Sequence, residues 1–358
     1  MRPPKHLAIL PTLVAILGCF ALSHRTDAQA VPWTPQSPDT GLWKFAKGTF
    51  DASDTIQFLI DRLPRAAAVP TAEAPVGGVI DLPGGTFWIT KPLRLPSGVT
   101  LRGEGAGTVI RCTAPPASCA IELDSLASHG SNIAAHVERL CIYTDQSRGI
   151  AIGPRTTGAV EDLVLRDLIL NTAGVAIDLY PPKDKNPVYF PLIENVRCAQ
   201  LGSGAIRLRA SIASVRALKL TGSPRVDPQT KQPRFTAPAA PDDALCVFDG
   251  HGTISDCQFE GSYPTAMAQV RGDWTMQGNW FETHALDFPH VTFTDARVRA
   301  DELFFFHDRA KLVLRNSTVR VSDRVDYRDD PKALDVDEKS KLLVQGSELR
   351  GATTQPAR

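Results

Sequence analysis

Four short stretches place charged, amide or phenolic side chains at alternate positions behind a small apolar pair. AIELD, from Ala120, carries Glu122 and Asp124; AIDLY, from Ala176, carries Asp178 and Tyr180; AIRLR, from Ala205, carries Arg207 and Arg209; AQVRGD, from Ala268, carries Gln269 and Arg271. Successive side chains of an extended chain point to opposite faces, so each pair stands on one face. Stacked, the stretches form a row in which carboxylates, guanidinium groups and a phenol lie within reach of one another. Such a row can do proton-transfer chemistry: a carboxylate or phenol gives or takes a proton while guanidinium groups neutralise an anion beside it. Asp178 with Asp242, Asp243 or Asp249 also supplies two carboxylates that could divide acid and base roles at roughly 5–9.5 Å. His251, in Gly250-His251-Gly252, adds a titratable ring at a tight corner, and Trp274, Trp280 and Phe281 are flat surfaces for stacking. The alternative readings are plain. Asp178, Arg207 and Arg209 also make an ion-pair ladder on a solvated face, His251 a polar corner residue, and Trp280 a core side chain.

Positioning such a row requires repeated strands, and the chain is built of them. The small-pair pattern returns in IAIG from Ile150 and ALCVFD from Ala244. A second pattern sets a polar corner residue between apolar runs: LRDLIL around Asp167, IENVRC around Asn195, ISDCQF around Asp256, MQGNWF around Asn279, FTDARV around Asp295 and LRNSTV around Asn316, with weaker copies at Ala217 and Ser347. Copies recur roughly every 20 to 30 residues, the scale of a solenoid repeat. Asn and Asp tolerate the left-handed backbone of a sharp corner better than other non-glycine residues.

The stretch 77–105 reads as one complete coil, with strands at 79–82, 86–90 and 99–102 broken at Pro83-Gly84-Gly85 and Pro96-Ser97-Gly98. Before it, residues 52–68 put Ile56, Leu59, Ile60 and Leu63 on one helical face, with Ser53 or Asp54 to cap the start and Pro64 to weaken the end. A lone helix ahead of many strands covers the open sheet edge. Two proline-rich insertions, 180–191 and 221–243, interrupt the period. On a rigid scaffold such loops hold binding sites or are tolerated surface insertions.

Composition narrows the class. With 39 basic and 39 acidic residues, the chain lacks the basic excess of a nucleic-acid binder. Arg2 and Lys5, the apolar run 7–22 and Ala28-Gln29-Ala30 read as a signal peptide at 1–30 cleaved after Ala30, with an uncleaved anchor or a form lipid-anchored at Cys19 as the alternatives; the apolar run is short for a membrane span. An oxidising compartment permits disulfides: Cys112–Cys119 is the best pair, Cys246–Cys257 a second candidate, and Cys141 and Cys198 read as small buried apolar residues. No cysteine or histidine spacing suggests zinc. The expected organisation is a signal peptide (1–30), an arm and capping helix (31–76), a strand solenoid (77–350) and a frayed tail (351–358).

The motif Gly77-Gly78-Val79-Ile80-Asp81-Leu82-Pro83-Gly84-Gly85-Thr86-Phe87, followed by Ser97-Gly98-Val99-Thr100-Leu101-Arg102-Gly103-Glu104-Gly105, resembles the N-terminal module of the pectate-lyase-like superfamily, of the pectate lyase/rhamnogalacturonase/epimerase type. The close match spans about residues 50–112; where the family often has Gly-Asp-Gly and Asp-Asp, this chain has GTFDASD at 48–54. The resemblance implies an all-β fold, a single-stranded right-handed parallel β-helix with an N-terminal capping helix. It implies a polysaccharide partner and a polysaccharide lyase, glycoside hydrolase or epimerase activity; a non-catalytic binding or adhesin-type β-helix is the alternative. For a uronate polymer, Asp178 can hold Ca²⁺ through its oxygens and Tyr180 or an Arg can take the proton beside the sugar carboxylate. Glu122, Asp124, Asp242, Asp243, Gln269, Arg271 and Trp274 are then expected to bind substrate, and Asp178, Tyr180, Arg207, Arg209, Asp249 and His251 to carry catalysis. Gly-His-Gly also resembles a polygalacturonase motif, but here Asp242-Asp243 and His251 bracket a single strand, and the partner motifs of that family are missing.

Overall fold

The structure, a computed structural model, describes residues 51–63, 77–113, 118–124, 132–144, 150–154, 159–172, 174–181, 185–199, 204–222, 225–226, 233–234, 244–261, 268–283, 291–306, 312–326, 334–344 and 348–350. The proposed signal peptide, most of the second insertion with Asp242 and Asp243, and the tail after residue 350 lie outside them. No helix among the described residues is long and apolar enough to cross a membrane.

The chain is a right-handed parallel β-helix. Three ladders run its length, each coil giving one strand to each. On the first, Val79 pairs with Thr100, and the line continues through His136, Val164, Leu192, Ser214, Thr253, Thr275, Arg299 and Arg320 to Leu343. On the second, Thr86 leads through Val109, Cys141, Ile169, Arg197, Lys219, Gln258, Trp280, Phe304 and Asp326 to Arg350. On the third, Leu93 stacks on Ile121, Ile152, Ile177, Ile206, Cys246, Ala268, Val291, Leu312 and Leu334. Each strand thus has parallel neighbours above and below, which satisfies its backbone groups while alternate apolar residues fill the bore. The interior is aliphatic in the early coils and aromatic later, where Phe259 stacks on Phe281 at 4.8 Å and Phe248 meets Trp274 edge-on at 5.8 Å. Strands Gly78–Asp81, Gly85–Ile89 and Val99–Arg102 match expectation; Leu93–Leu95, held between two prolines, is an added third side.

Two columns of left-handed corners turn the coils. The expected corner residues Asp167, Asn195, Ala217, Asp256, Asp295 and Asn316 all have positive φ; the first four, with Arg139, turn the chain from the first sheet to the second, while Asp295 and Asn316 lie at the bend from the third sheet to the first. Corner side chains bond from coil to coil, Asn195 Nδ2 donating to Asp167 Oδ1 at 2.5 Å and Asn316 Nδ2 to Asp295 Oδ1 at 2.7 Å. Asn279 departs from the pattern. Gly278 takes the left-handed turn, and the buried Asn279 amide instead accepts from Cys257 N at 3.1 Å and donates to Ile254 O at 2.8 Å. Asp295 and Asn316 share the third-to-first bend with Ala134, Asp162, Phe190 and Ile212, four positions that the repeat pattern did not mark. Ala217 carries a methyl group at φ 50° and is exposed. Ala217→Gly is therefore expected to raise stability by about 0.5 kcal/mol, the relief of left-handed strain outweighing the added chain entropy; a urea midpoint below that of the parent would contradict it.

The capping helix, α1 (Ser53–Arg62), is shorter than expected at both ends. Its cap residue is Ala52, and neither Ser53 nor Asp54 caps it; Asp51 instead accepts from Ser53 N at 2.9 Å and from Thr90 Oγ1 at 2.5 Å, pinning the helix to the coil. Leu63 is extended at ψ 146°, as a residue before proline prefers. Ile56 and Ile60 are buried and close the bore.

One regularity went unread. Along the outer face of the first sheet, Asp81, Arg102, Glu138, Arg166, Glu194 and Arg216 are successive ladder partners of alternating sign. Glu194 sits between two guanidinium groups, accepting from Arg166 Nε at 2.9 Å and Arg216 Nε at 2.7 Å. Arg216, then Arg166, hold its carboxyl below the usual range. The expected disulfides do not form: Cys112, Cys119, Cys246 and Cys257 are buried thiols, as are Cys141 and Cys198. Cys119 belongs to the third sheet and Cys112 to the second, on different walls of the bore, and burial pushes the Cys119 thiol up to about 12.

Candidate functional site

The row inferred from the repeats lies on the outer face of the third sheet. Asp178 pairs with Arg207, Arg207 with Val247, and Val247 with Gln269. Two residues along, Arg209 pairs with Asp249 and Asp249 with Arg271. The coil from Ala244 therefore falls between Arg207 and Gln269, and it places Asp249 between two arginines. Glu122 lies further toward the N-terminus, separated from Asp178 by Gly153, where a Cβ would lie 2.6 Å from the Cys119 sulfur. Asp124 closes the strand through its backbone, its N–H donating to Leu95 O at 2.9 Å and its carbonyl accepting from Asn132 Nδ2 at 2.6 Å.

The face is not a solvated ladder. Asp178, Tyr180, Arg207, Arg209, Asp249 and Arg271 are all half-buried, and Val247 and Gln269 are buried despite their outward register. Tyr180, first residue of the shorter insertion, folds back over Ala244 and Val247. Its hydroxyl crosses two coils to donate to Asp249 Oδ2 at 2.8 Å. Arg209 Nη1 donates to Pro181 O at 3.3 Å, tying the same insertion to the sheet.

Electrostatics singles out Asp178 and Tyr180 on this face. Burial raises the Asp178 carboxyl above its ordinary value, while Arg207 and the Tyr180 N–H oppose the shift without cancelling it. Burial also raises the Tyr180 phenol, helped by its bond to Asp249 and opposed by Arg271. Tyr180 is thus a protonated phenol whose proton already points at a carboxylate. Two coils and two residues separate Asp178 from Asp249, about 12 Å at the usual strand spacings. That is wider than the roughly 5–9.5 Å at which two carboxyls of a hydrolase act directly on one bond. Tyr180 fills the gap, about 6.6 Å along the strand from Asp178.

The remaining expected residues fall elsewhere. Trp274 is core: it is buried, packs on Phe248, and its Nε1 donates to Arg271 O at 2.8 Å, so it presents no ring for stacking. Phe281 is also core, whereas Trp280 is partly exposed on the second sheet. His251 lies past Asp249 at the bend between the third and first sheets, where its Nε2 is 3.1 Å from Ser211 Oγ. The glycines around it serve the coil stack: a Cβ on Gly250 would lie 1.9 Å from Ala210 O. Calcium does not fit Asp178. It needs six to eight oxygens, whereas the charged ladder partner of Asp178 is a guanidinium group, and no cluster of three or more metal-ligating side chains occurs among the described residues. The Asp249 position was legible in ALCVFD, a copy of the repeat. The Ser211–His251 contact was not, because the 221–243 insertion separates the two in sequence.

No family model matches the chain, and no curated protein matches it. Solved structures do. Geobacillus virus E2 ORF18 is 16% identical with a TM-score of 0.49, over 76% of this chain and 57% of that one. The Acinetobacter phage vB_ApiP_P1 tailspike protein is 11% identical with a TM-score of 0.40, over 84% and 58%. The Azotobacter vinelandii mannuronan C-5 epimerase AlgE4 A-module is 14% identical with a TM-score of 0.34, over 88% and 98%. The chain thus spans less than two thirds of the length of the first two, and at these identities the likeness is one of fold.

Proposed function

We propose that this β-helix is an exported polysaccharide lyase that cleaves a uronate-containing polymer on the outer face of its third sheet. The observation that carries the reading is the Tyr180–Asp249 hydrogen bond, set between Arg209 and Arg271. Arg207, Arg209 and Arg271 give the face a surplus of positive charge, which suits a sugar carboxylate. Neutralising that carboxylate acidifies the proton on the adjacent carbon. Tyr180 Oη takes this proton as its own phenolic proton passes to Asp249, so an otherwise weak base works at the cost of protonating a carboxylate. Asp178, whose raised pKa favours its protonated form, gives its proton to the departing glycosidic oxygen. The C–O bond breaks as the C=C bond forms, and no water is consumed. Activity is then expected to fall as pH rises through the raised pKa of Asp178.

The test is incubation of the full chain with a panel of uronate polymers, following the absorbance of unsaturated ends together with reducing sugar. Unsaturated ends are the expected result. Reducing sugar without them would replace the lyase with a hydrolase, and retention on a polysaccharide column with neither signal would make the protein a binder. Arg209→Ala is expected to raise KM for the polymer about tenfold with little change in kcat, the loss of one charge-assisted contact made equally in ground and transition states. An unchanged KM would remove Arg209 from the binding face.

A further inference from the structure

At the bend joining the third sheet to the first, the ladder between strands Gly204–Arg216 and Cys246–Ser255 slips: Ala210 faces Gly250 and Ala213 faces Gly252, so Ser211 and Ile212 together oppose His251. This is a β-bulge, a device that re-aims side chains and is common beside active sites. It brings Ser211 Oγ to 3.1 Å from His251 Nε2, hydrogen-bond distance between a hydroxyl and an imidazole nitrogen. The pair is open to solvent on the His251 side. Next to it stand two exposed bulky residues, Phe190 and Ile212, at 49% and 56% exposure. Both sit at left-handed φ, 53° and 58°, a conformation that costs a β-branched or bulky residue most. The Phe190 N–H donates to Ser211 O at 2.9 Å, which fixes the Ser211 backbone. Strained residues persist where surrounding structure over-determines them, and they cluster at functional sites.

We propose that Ser211 and His251 form a nucleophile–base dyad that hydrolyses small carboxylic esters, with Phe190 and Ile212 as the apolar wall for the acyl group. Ser211 Oγ attacks the ester carbonyl carbon while its proton passes to His251 Nε2. The tetrahedral intermediate collapses, and the alcohol leaves with that proton. Water then attacks the acyl-serine with His251 again as base, releasing the carboxylic acid and restoring the hydroxyl. Asp273, the ladder partner of His251 on the next coil, is committed to Arg297 at 2.9 Å, so the pair works as a dyad. On a carbohydrate the matching group is an acyl substituent on a sugar hydroxyl. This activity does not depend on the lyase chemistry of the Asp178 face.

The test is hydrolysis of p-nitrophenyl acetate by the full chain, with release of acetate from an acetylated uronate polymer read in parallel. The parent is expected to hydrolyse both, and Ser211→Ala and His251→Gln each to lose about 100-fold. A fluorophosphonate probe is expected to label Ser211, and Ser211→Ala to leave the formation of unsaturated ends unchanged. No hydrolysis by the parent, a loss under tenfold in either variant, or a label on another residue would each overturn the dyad. Circular dichroism of both variants identifies a loss due to unfolding; His251→Asn then replaces an unfolded His251→Gln.

Discussion

Asp178→Asn is expected to slow cleavage of a uronate polymer by at least about 100-fold and yet to melt no lower than the parent at pH 7. The two halves follow from the same burial. A carboxyl raised above its unfolded value binds more protons in the folded state, so its contribution to stability is present at low pH and is lost as pH rises through the raised value. At pH 7 the ionised form is therefore a burden on the fold, which an amide of the same shape removes. Catalysis loses the proton that Asp178 delivers. If Asp178 were only a partner for Arg207, removing its charge would destabilise the protein and leave the chemistry intact, the opposite on both counts. Tyr180→Phe provides the companion measurement. It keeps the ring over Ala244 and Val247 but cuts the path to Asp249, so a comparable loss in kcat is expected with the melting temperature nearly unchanged. Full activity in both variants would return the face to a structural ladder.

How far this face was legible in the sequence depends on which interactions a repeat can encode. Alternation and stacking are local properties. They placed Asp178 beside Arg207 and put Tyr180, Arg209 and Arg271 on the same face, because each coil copies the small-pair pattern. The corner residues Asp167, Asn195, Asp256, Asp295 and Asn316 were legible for the same reason, since backbone strain selects the residue type directly. What escaped was set by neighbouring coils. Phe190 and Ile212 are residues that left-handed strain disfavours, so no composition signal marks those two corners. Trp274 read as a surface ring because alternation cannot tell bore from exterior when Gly272 turns the chain two residues before it. The alternating charges from Asp81 to Arg216 are separated in sequence by unequal loops, and only the ladder register aligns them. Val247 is buried under Tyr180, the first residue of the shorter insertion, and the neighbouring Asp178 carboxyl is raised by burial rather than solvated.

Gly272→Ala is expected to cost about 3 kcal/mol or more. Two effects add. Gly272 has φ 87°, where any Cβ carries about 1–2 kcal/mol of strain. That Cβ would also lie 2.0 Å from Gly250 O on the coil beneath, a backbone atom that cannot rotate aside, so the coils must part. Gly105 separates the terms: its φ is 85°, but a Cβ there meets nothing within 4 Å, so Gly105→Ala should show the conformational cost of about 1–2 kcal/mol alone. Gly107 has neither constraint, and Gly107→Ala should be neutral or stabilising by up to about 1 kcal/mol. Urea unfolding of the three variants reads the order directly, and Gly272→Ala as stable as Gly107→Ala would refute the close stacking of the coils at this bend. Because a solenoid is held by nearest-neighbour contacts, the opened corner loosens the coils on both sides. Those coils carry Asp249 and Arg271, one residue from Gly250 and Gly272 respectively, and the stacked glycines keep the two charges in adjacent ladder positions. A partly folded Gly272→Ala protein should therefore lose polymer cleavage before it loses its β-sheet circular dichroism.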